Sequence, residues 1–198
     1  DDGVIEAGEV TAGAAVCWEF MRTQTARRLR GRVDVIVGGS AWWSIPPWPP
    51  AAVTRRMEAA NARTAAHIAQ AMARAVGAPV VHAAHCGEVV CPLPWTPITY
   101  RGHFQGGTII CDAQGTVLAR RDQREGPGVV TAELDLRRQA PTADIPDRFW
   151  MHDRGAVATL LWNYQRAHGR QWYQRHALGR PPADAQVAAD REVVGAAT

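Results

Sequence analysis

The fold is decided by two neighbouring stretches, GAAVCWE at residues 13–19 and VDVIVGGSAW at residues 33–42. The first contains a short apolar run, residues 14–18, that is typical of a buried strand. The second begins with a β-branched run that stops at a glycine pair, and residues 22–32 between them are rich in Arg, Leu and Ala, which favour a helix. Together they predict a strand, a helix and a second strand.

The alternation of strands and helices continues towards the C-terminus. Thr54 is placed to cap a helix whose apolar residues recur at helical spacing and which ends at Gly77. Residues 79–84 form the next apolar run of strand length. Elements that alternate in this way predict an α/β layered fold.

A β-hairpin is predicted after a proline-rich loop. Residues 107–112 and 116–119 are the two strands, and the Ala-Gln-Gly sequence between them is the turn. Residues 128–136 predict one more strand, antiparallel to its neighbour because the connection is short. Residues 155–178 then predict a helix with an apolar stripe.

The composition indicates one globular domain without a nucleic-acid partner. The 198 residues are 46% apolar, which is enough to bury a core. All 22 basic residues are arginine, and the net charge of +3 comes from interspersed charges of both signs. Four cysteines are too few for a disulfide scaffold, which predicts free thiols.

Neither a membrane span nor a nucleotide cofactor is predicted. The longest stretch without a formal charge, residues 35–54, contains four prolines and two glycines that would break a membrane helix. Because the sequence shows no signal peptide, we expect a cytoplasmic protein. The glycine-rich nucleotide motifs and the G-x-S-x-G motif are missing from the sequence, so we expect no cofactor and no serine nucleophile.

Cys17 lies where the first predicted strand ends and a helix begins. The N–H groups at the start of a helix favour a thiolate and can stabilise an oxyanion. The position is therefore typical of a cysteine nucleophile, and a buried structural thiol is the alternative.

A second group of residues has the composition of a zinc site: His82, His85, Cys86 and Cys91. Their spacing matches no common zinc finger, and in a strand His82 and Cys86 would share one face while His85 would point to the other. We therefore predict no metal. The alternative is that these histidines end a strand near a cleft, where His85 or Cys86 lines a pocket.

Tryptophans mark two further regions. Four fall in loops that follow strands, where α/β folds bind ligands: Trp42, Trp43, Trp48 and Trp95. They either form the wall of a substrate cavity or pack at an oligomer contact. Three others, Trp150, Trp162 and Trp172, fall in the tail, where a helix that docks on a partner subunit is predicted.

Three motifs resemble the carbon–nitrogen hydrolase (nitrilase) superfamily. Residues 13–19 and 33–42 resemble its nucleophile strand and pocket strand, and Cys-Trp-Glu is especially similar to the nitrilase branch. FQGGTIICDAQGTVLA, residues 104–119, is similar to the F-x-G-x-S hairpin of the family. GVVTAELDL, residues 128–136, resembles its closing strand. In this order the motifs cover residues 13–136.

The resemblance implies an α-β-β-α sandwich and a thiol hydrolase of nitriles or small amides. Cys17 would attack the substrate carbon, ammonia or an amine would leave, and water would hydrolyse the resulting thioester. The Trp18 N–H would stabilise the oxyanion, and Glu19 would give a supporting hydrogen bond.

The substrate itself would contact Trp42, Trp43 and His85. The resemblance also implies a homo-oligomer, for which the aromatic helix at residues 162–172 is the predicted contact.

Two catalytic groups of the family have no counterpart in the sequence. Its Glu base and its Lys precede the cysteine, whereas sixteen residues precede Cys17 and the chain contains no Lys. Glu6 and Glu9 are too close to Cys17 to replace them. Residues 1–143 are therefore predicted to be the C-terminal portion of the domain, incomplete at its N-terminus, and residues 144–198 a helical tail.

The sequence thus predicts a carbon–nitrogen hydrolase for a small-molecule nitrile or amide, inactive as this chain alone because the two groups are missing. The alternative, from another class, is a noncatalytic binding or assembly module that uses the tryptophan-lined cleft.

Overall fold

The computed structural model describes residues 3–153 and 155–178. The chain divides into two compact units, Asp1–Asp153 and Arg154–Thr198. Residues 179–198, which the predicted tail includes, lie outside the described residues.

A six-stranded sheet forms the centre of the first unit. The strands of this unit are β1 (Val4–Ala7), β2 (Val10–Val16), β3 (Val35–Ser40), β4 (Val80–Ala84), β5 (Glu88–Pro92), β6 (Thr99–His103), β7 (Gly106–Cys111) and β8 (Val117–Asp122). The order in the sheet is β1-β2-β3-β4-β7-β8, with β2, β3 and β4 parallel and the outer strands antiparallel. Strands β5 and β6 form a separate antiparallel pair.

Two helices, α1 (Thr23–Leu29) and α2 (Ala51–Val76), connect the parallel strands. Leu29 of α1 packs at Gly13 of β2, and α2 contacts β4 and β7. In α2 the side chains at a spacing of four residues, Ile68, Met72 and Val76, are almost fully buried. Burial of each such side chain contributes about 1.5–3 kcal/mol, so this stripe fixes the helix on the sheet. The predicted α/β class is confirmed.

The carboxyl ends of the three parallel strands lie at one edge of the sheet. Val16 pairs with Gly39 of β3, and Ser40 pairs with Ala84 of β4. The residues that follow β2, β3 and β4 are therefore neighbours at this edge, where α/β sheets place their ligand sites.

The predicted strand ends need two corrections. The first strand was expected at residues 14–18, but β2 runs from Val10 to Val16 and a 3₁₀-helix, Cys17–Met21, follows it. The glycine pair was expected to end the next strand, but β3 continues to Ser40. Glycines are tolerated here because the backbones of β2 and β4 approach too closely for a side chain.

The long helix ends as predicted and begins earlier than predicted. Gly77 adopts a left-handed conformation with φ of 81° and closes α2. Thr54 does not cap the helix, which begins at Ala51 directly after Pro50. A proline has no N–H that needs a helical acceptor, so the chain enters the helix at the end of the proline run.

The strand predicted at residues 128–136 is wrong. The hairpin before it forms as β7 and β8, but residues 128–136 pair with no strand among the described residues. The segment is tied at its end instead, where Arg138 bonds to Asp34 and the Gln139 N–H donates to the Gly77 carbonyl. The apolar alternation therefore reflects a half-buried extended segment without a β-ladder.

The face of the sheet opposite the helices is partly exposed. Val16 is 63% exposed and Val37 is 37% exposed, and both point away from the helix side by strand alternation.

The second unit contains the predicted helix, α3 (Gly155–His176). Several of its apolar side chains, among them Leu160 and Trp172, are more than half exposed. No helix among the described residues is both long and apolar enough to cross a membrane.

Candidate functional site

Cys17 occupies a strained turn at the carboxyl edge of the parallel strands. It follows β2 directly, begins the 3₁₀-helix, and has a φ of 52°. A left-handed conformation is costly for a residue with a Cβ and occurs mainly where structure or function demands it. A sharp strand-to-helix turn of this kind presents a nucleophile in other hydrolases. The thiol is free and half-buried, so it is not sealed in the core.

Glu19 holds the turn from within. Its Oε2 accepts a hydrogen bond from the Val16 N–H at 3.0 Å, and its Oε1 lies 3.7 Å from Nη2 of Arg28. Arg28 also donates to the carbonyl of Ala14 at 3.4 Å. Both carboxylate oxygens are thus engaged with the polypeptide around Cys17.

Glu19→Ala should lower the free energy of unfolding by about 1 kcal/mol, because the Val16 N–H loses its acceptor. Glu19→Gln keeps an oxygen acceptor and loses only a partly exposed ion pair, so it should remain within about 0.5 kcal/mol of the unmodified chain. Urea denaturation of both variants measures the difference. Equal losses would show that the hydrogen bond to Val16 does not support the turn.

Trp150 lies beside this turn and not with the tail helix, where the sequence had placed it. Its ring is 5.6 Å from that of Trp18, and it is 8% exposed. The backbone around Trp150 is fixed as well. The Thr23 N–H donates to the Phe149 carbonyl, and the Met151 N–H donates to the Met21 carbonyl. The segment at residues 149–151 therefore covers the 3₁₀-helix that follows Cys17.

A buried histidine lies under the same helix. His82 of β4 is 3% exposed, its Nε2 is 3.0 Å from Ser40 Oγ, and its ring meets that of Phe20 edge-on at 4.8 Å. Burial lowers the pKa of His82 from 6.5 to about 4, and the nearby Gly107 backbone opposes this only in part. His82 is therefore neutral at physiological pH and supports the turn through Phe20.

Trp42 and Trp43 follow β3 and diverge from each other. The Trp42 indole N–H donates to Asn61 Oδ1 of α2 at 2.7 Å, and Asn61 Nδ2 donates to the Trp43 carbonyl at 2.9 Å. The Trp43 ring lies 4.9 Å from the ring of Tyr100 on β6. The two indoles are therefore held by different elements.

Glu58 of α2 fixes the rest of this loop, and sequence reasoning missed it. Its Oε2 accepts the Ile45 N–H at 2.5 Å, and its Oε1 accepts Nε2 of Gln105 at 2.6 Å. The Gln105 N–H in turn donates to the Trp42 carbonyl. In the sequence Glu58 is an ordinary polar helix residue, because its partners are 13 and 47 residues away.

The other two loop tryptophans lie further out. Trp48 is 44% exposed before α2, and Trp95 is 58% exposed between β5 and β6. Both earlier interpretations of these two residues stay predictions.

His85 follows β4 at the same edge of the sheet. The backbone N–H of His85 donates to the Ser40 carbonyl at 3.0 Å, and the imidazole ring lies 5.4 Å from the ring of Phe104. Within residues 3–153 and 155–178, no group of three His, Cys, Asp or Glu side chains could hold a metal ion, and Cys86 and Cys91 are free thiols.

The sequence profile of the family described as carbon-nitrogen hydrolase matches residues 2–144. The chain belongs to the carbon–nitrogen hydrolase family. The expected fold class, an α-β-β-α sandwich, agrees with this family, and residues 3–153 contain a six-stranded sheet on which helices pack. No curated protein is significantly similar in sequence.

Solved structures of other carbon–nitrogen hydrolases are similar to the chain. One is a carbon–nitrogen hydrolase from Helicobacter pylori G27, at 21% identity over 83% of this chain and 48% of that chain, with a TM-score of 0.48. Another is a mutant amidase from Nesterenkonia sp. AN1 with acrylamide added at its active-site cysteine, at 16% identity over 80% of this chain and 48% of that chain, with a TM-score of 0.46. The chain therefore spans about half the length of these relatives.

Proposed function

We propose that the chain supplies the cysteine nucleophile of a hydrolase that cleaves the C–N bond of a nitrile or a small amide. The observation that carries this proposal is the left-handed turn at Cys17, where a free, half-buried thiol lies at the carboxyl edge of the three parallel strands. A purely structural thiol needs no such backbone strain. Cys111 has none and is fully buried.

The proposed reaction begins with attack by the Cys17 thiolate on the substrate carbon. With an amide, a C–S bond forms and the carbonyl becomes an oxyanion, which the Trp18 N–H stabilises. The C–N bond then breaks, the nitrogen takes up a proton, and ammonia or an amine leaves a thioester. With a nitrile, the first adduct is a thioimidate, and water adds before ammonia leaves. In both routes water then hydrolyses the thioester to a carboxylic acid and restores the thiol, so an amide consumes one water and a nitrile two.

Glu19 has a supporting role in this proposal and is not the general base. Its two oxygens are engaged by Val16 and Arg28, so neither faces the substrate as a free proton acceptor. Trp42, Trp43 and His85 form the substrate wall because they follow β3 and β4 at the edge where Cys17 follows β2.

The base and the cation of the family come from outside this chain in our proposal. The chain contains no lysine, and it covers about half of its relatives. We therefore expect little or no ammonia release from nitriles and amides by the chain alone. Turnover that Cys17→Ala abolishes would show that the chain replaces both groups from its own residues.

We also propose that the protein is a cytoplasmic homo-oligomer. Four free cysteines fit a reducing cytoplasm. The exposed apolar side chains of α3 fit an oligomer contact.

Thiol labelling tests the nucleophile directly. With a limiting electrophile such as iodoacetamide at neutral pH, Cys17 should react at least about tenfold faster than Cys86 and Cys91, and Cys111 should react last. Intact mass and peptide mapping measure each site, and burial raises the pKa of the Cys111 thiol to about 11, which makes it the internal slow control.

Matched variants complete the labelling experiment. Cys17→Ser should remove the fast phase, and Cys86→Ser, which also removes a half-buried thiol, should leave it unchanged. Uniform slow labelling of Cys17, Cys86 and Cys91 would overturn the assignment of Cys17 as the nucleophile. It would favour the alternative, a noncatalytic binding module.

A further inference from the structure

A cavity of about 450 Å³ lies between α2 and the β7–β8 hairpin. Its lining contains none of Cys17, Trp42 and His85, so it is distinct from the site proposed above. A volume of this size is in the usual range for small-molecule sites.

Small residues on two sides of the cavity leave it open. Ala62 and Ala66 of α2 form one side, and Gly106 and Gly107 of β7 form another. Gly107 is the extra residue of a β-bulge, with a φ of 83°, and a Cβ placed there would meet no atom within 4 Å. The bulge therefore widens the space beside the helix.

The rim of the cavity is positively charged. Arg63, Arg120 and Arg124 line it, together with a single carboxylate, Asp122. Asp122 forms an ion pair with Arg120, in which Arg120 Nε lies 2.5 Å from Asp122 Oδ1. The guanidinium groups of Arg63 and Arg124 have no hydrogen-bond or ion-pair partner among the described residues, so two positive charges remain uncompensated.

The neighbouring Arg121 shows what a structural arginine looks like here. Its guanidinium donates to the carbonyls of Glu125, Gly126 and Pro127. Glu125 is the next acidic residue after Asp122 in the sequence. Its carboxylate accepts a hydrogen bond from the Asp122 backbone N–H at 2.6 Å. Neither residue lines the cavity or neutralises its rim.

His67 also lines the cavity beside these arginines. Its Nδ1 lies 2.7 Å from the Arg63 carbonyl, and because a carbonyl only accepts, Nδ1 carries the hydrogen. Nε2 is therefore the ring nitrogen that remains for a ligand. A ligand that satisfies the rim therefore has several negatively charged oxygens for the arginines.

We propose that this cavity binds the phosphate group of a small phosphate monoester. Near neutral pH the phosphate of a monoester is mainly a dianion, and its three anionic oxygens can accept hydrogen bonds from planar guanidinium forks. A carboxylate has one charge on two oxygens, so it offers less charge and fewer acceptors to the same arginines. The cavity exceeds the volume of a phosphate ion, so there is room for the organic part of the ester.

Calorimetric titration of the full 198-residue chain tests the proposal. Glycerol 3-phosphate, inorganic phosphate and succinate are added separately at constant ionic strength. We expect saturable binding of glycerol 3-phosphate, weaker binding of inorganic phosphate, and none of succinate. Inorganic phosphate that binds as tightly as the ester would overturn the assignment to an ester. Succinate that binds as tightly as either would overturn phosphate recognition.

Variants locate the binding to the cavity. Arg63→Gln and Arg124→Gln should each weaken glycerol 3-phosphate binding about tenfold, because each removes one charge-assisted contact. Arg56→Gln, an exposed arginine of the same helix outside the cavity, should leave it unchanged. Equal losses from all three, or no saturable binding by the unmodified chain at millimolar concentration, would overturn the proposal. Arg63→Lys keeps the charge without the fork and gives a second readout if a glutamine variant fails to fold, because binding at full strength would exclude fork recognition.

Discussion

Gly38→Ala should prevent the chain from reaching its native fold. A Cβ at this position of β3 would lie 1.7 Å from the Ala15 carbonyl oxygen and 3.2 Å from Cε2 of Phe20. The first atom belongs to the backbone of the paired strand β2, which cannot move away without breaking the ladder. We expect a loss of more than about 4 kcal/mol, which is a large part of the stability of an ordinary domain.

The same substitution bears on the function. Ala15 and Phe20 flank Cys17 in the sequence, so separation of β2 from β3 would release the turn that presents the thiol. Circular dichroism and urea denaturation should show an unfolded or strongly destabilised chain. Gly169→Ala is the control, since a Cβ there meets no atom within 4 Å and alanine should stabilise the helix by about 0.5–1 kcal/mol. A Gly38→Ala chain with an unchanged unfolding midpoint would refute the close approach of β2 and β3.

The local signals of the sequence predicted much of the fold. Gly77 ends α2 because a left-handed residue is needed there, and the Ala-Gln-Gly turn joins β7 to β8 because Gly115 supplies a φ of 79°. Cys17 was placed at a strand end because an apolar run stops there. In each case the cause lies within a few residues of its effect.

Features that depend on distant partners could not be predicted in this way. Strands β5 and β6 flank a proline-rich loop and were not predicted. Their pairing, for example of Val89 with Gly102, corresponds to no pattern in the neighbouring sequence. Residues 128–136 carry a strand pattern without a strand partner. Trp150 packs on Trp18, which is 132 positions earlier, so its place beside the site follows only from the tertiary structure.

The candidate site shows the same division. The sequence predicted the position of Cys17 at a strand end. It did not predict the left-handed conformation of Cys17, because glycine or asparagine is the usual residue in that conformation. Glu58 and Asn61 hold the loop that carries Trp42, yet both are polar residues on a helix, where solvent is the ordinary partner. A polar residue becomes informative only when the structure shows it half-buried with committed hydrogen bonds.

Acidification should destabilise the chain between pH 6.5 and pH 4 through His82. The pKa of His82 is 6.5 before burial and about 4 in the folded chain, so below pH 6.5 the unfolded chain takes up a proton that the folded chain does not. Stability contributed by the neutral ring is therefore complete above pH 6.5 and is lost as the pH falls to about 4. This difference amounts to about 3 kcal/mol, because each pKa unit corresponds to about 1.4 kcal/mol.

The effect can be assigned by comparing substitutions, because carboxylates and other histidines also titrate in this range. His82→Gln should flatten the dependence of the unfolding free energy on pH, since glutamine can bond to Ser40 and carries no charge. His67→Gln removes an exposed histidine and should keep the full dependence. If His82→Gln and the unmodified chain lost stability in parallel between pH 6.5 and pH 4, His82 would not be neutral and buried beneath Phe20. Because Phe20 lies three residues after Cys17, a confirmed effect would also mean that protonation of His82 loosens the support of the proposed nucleophile.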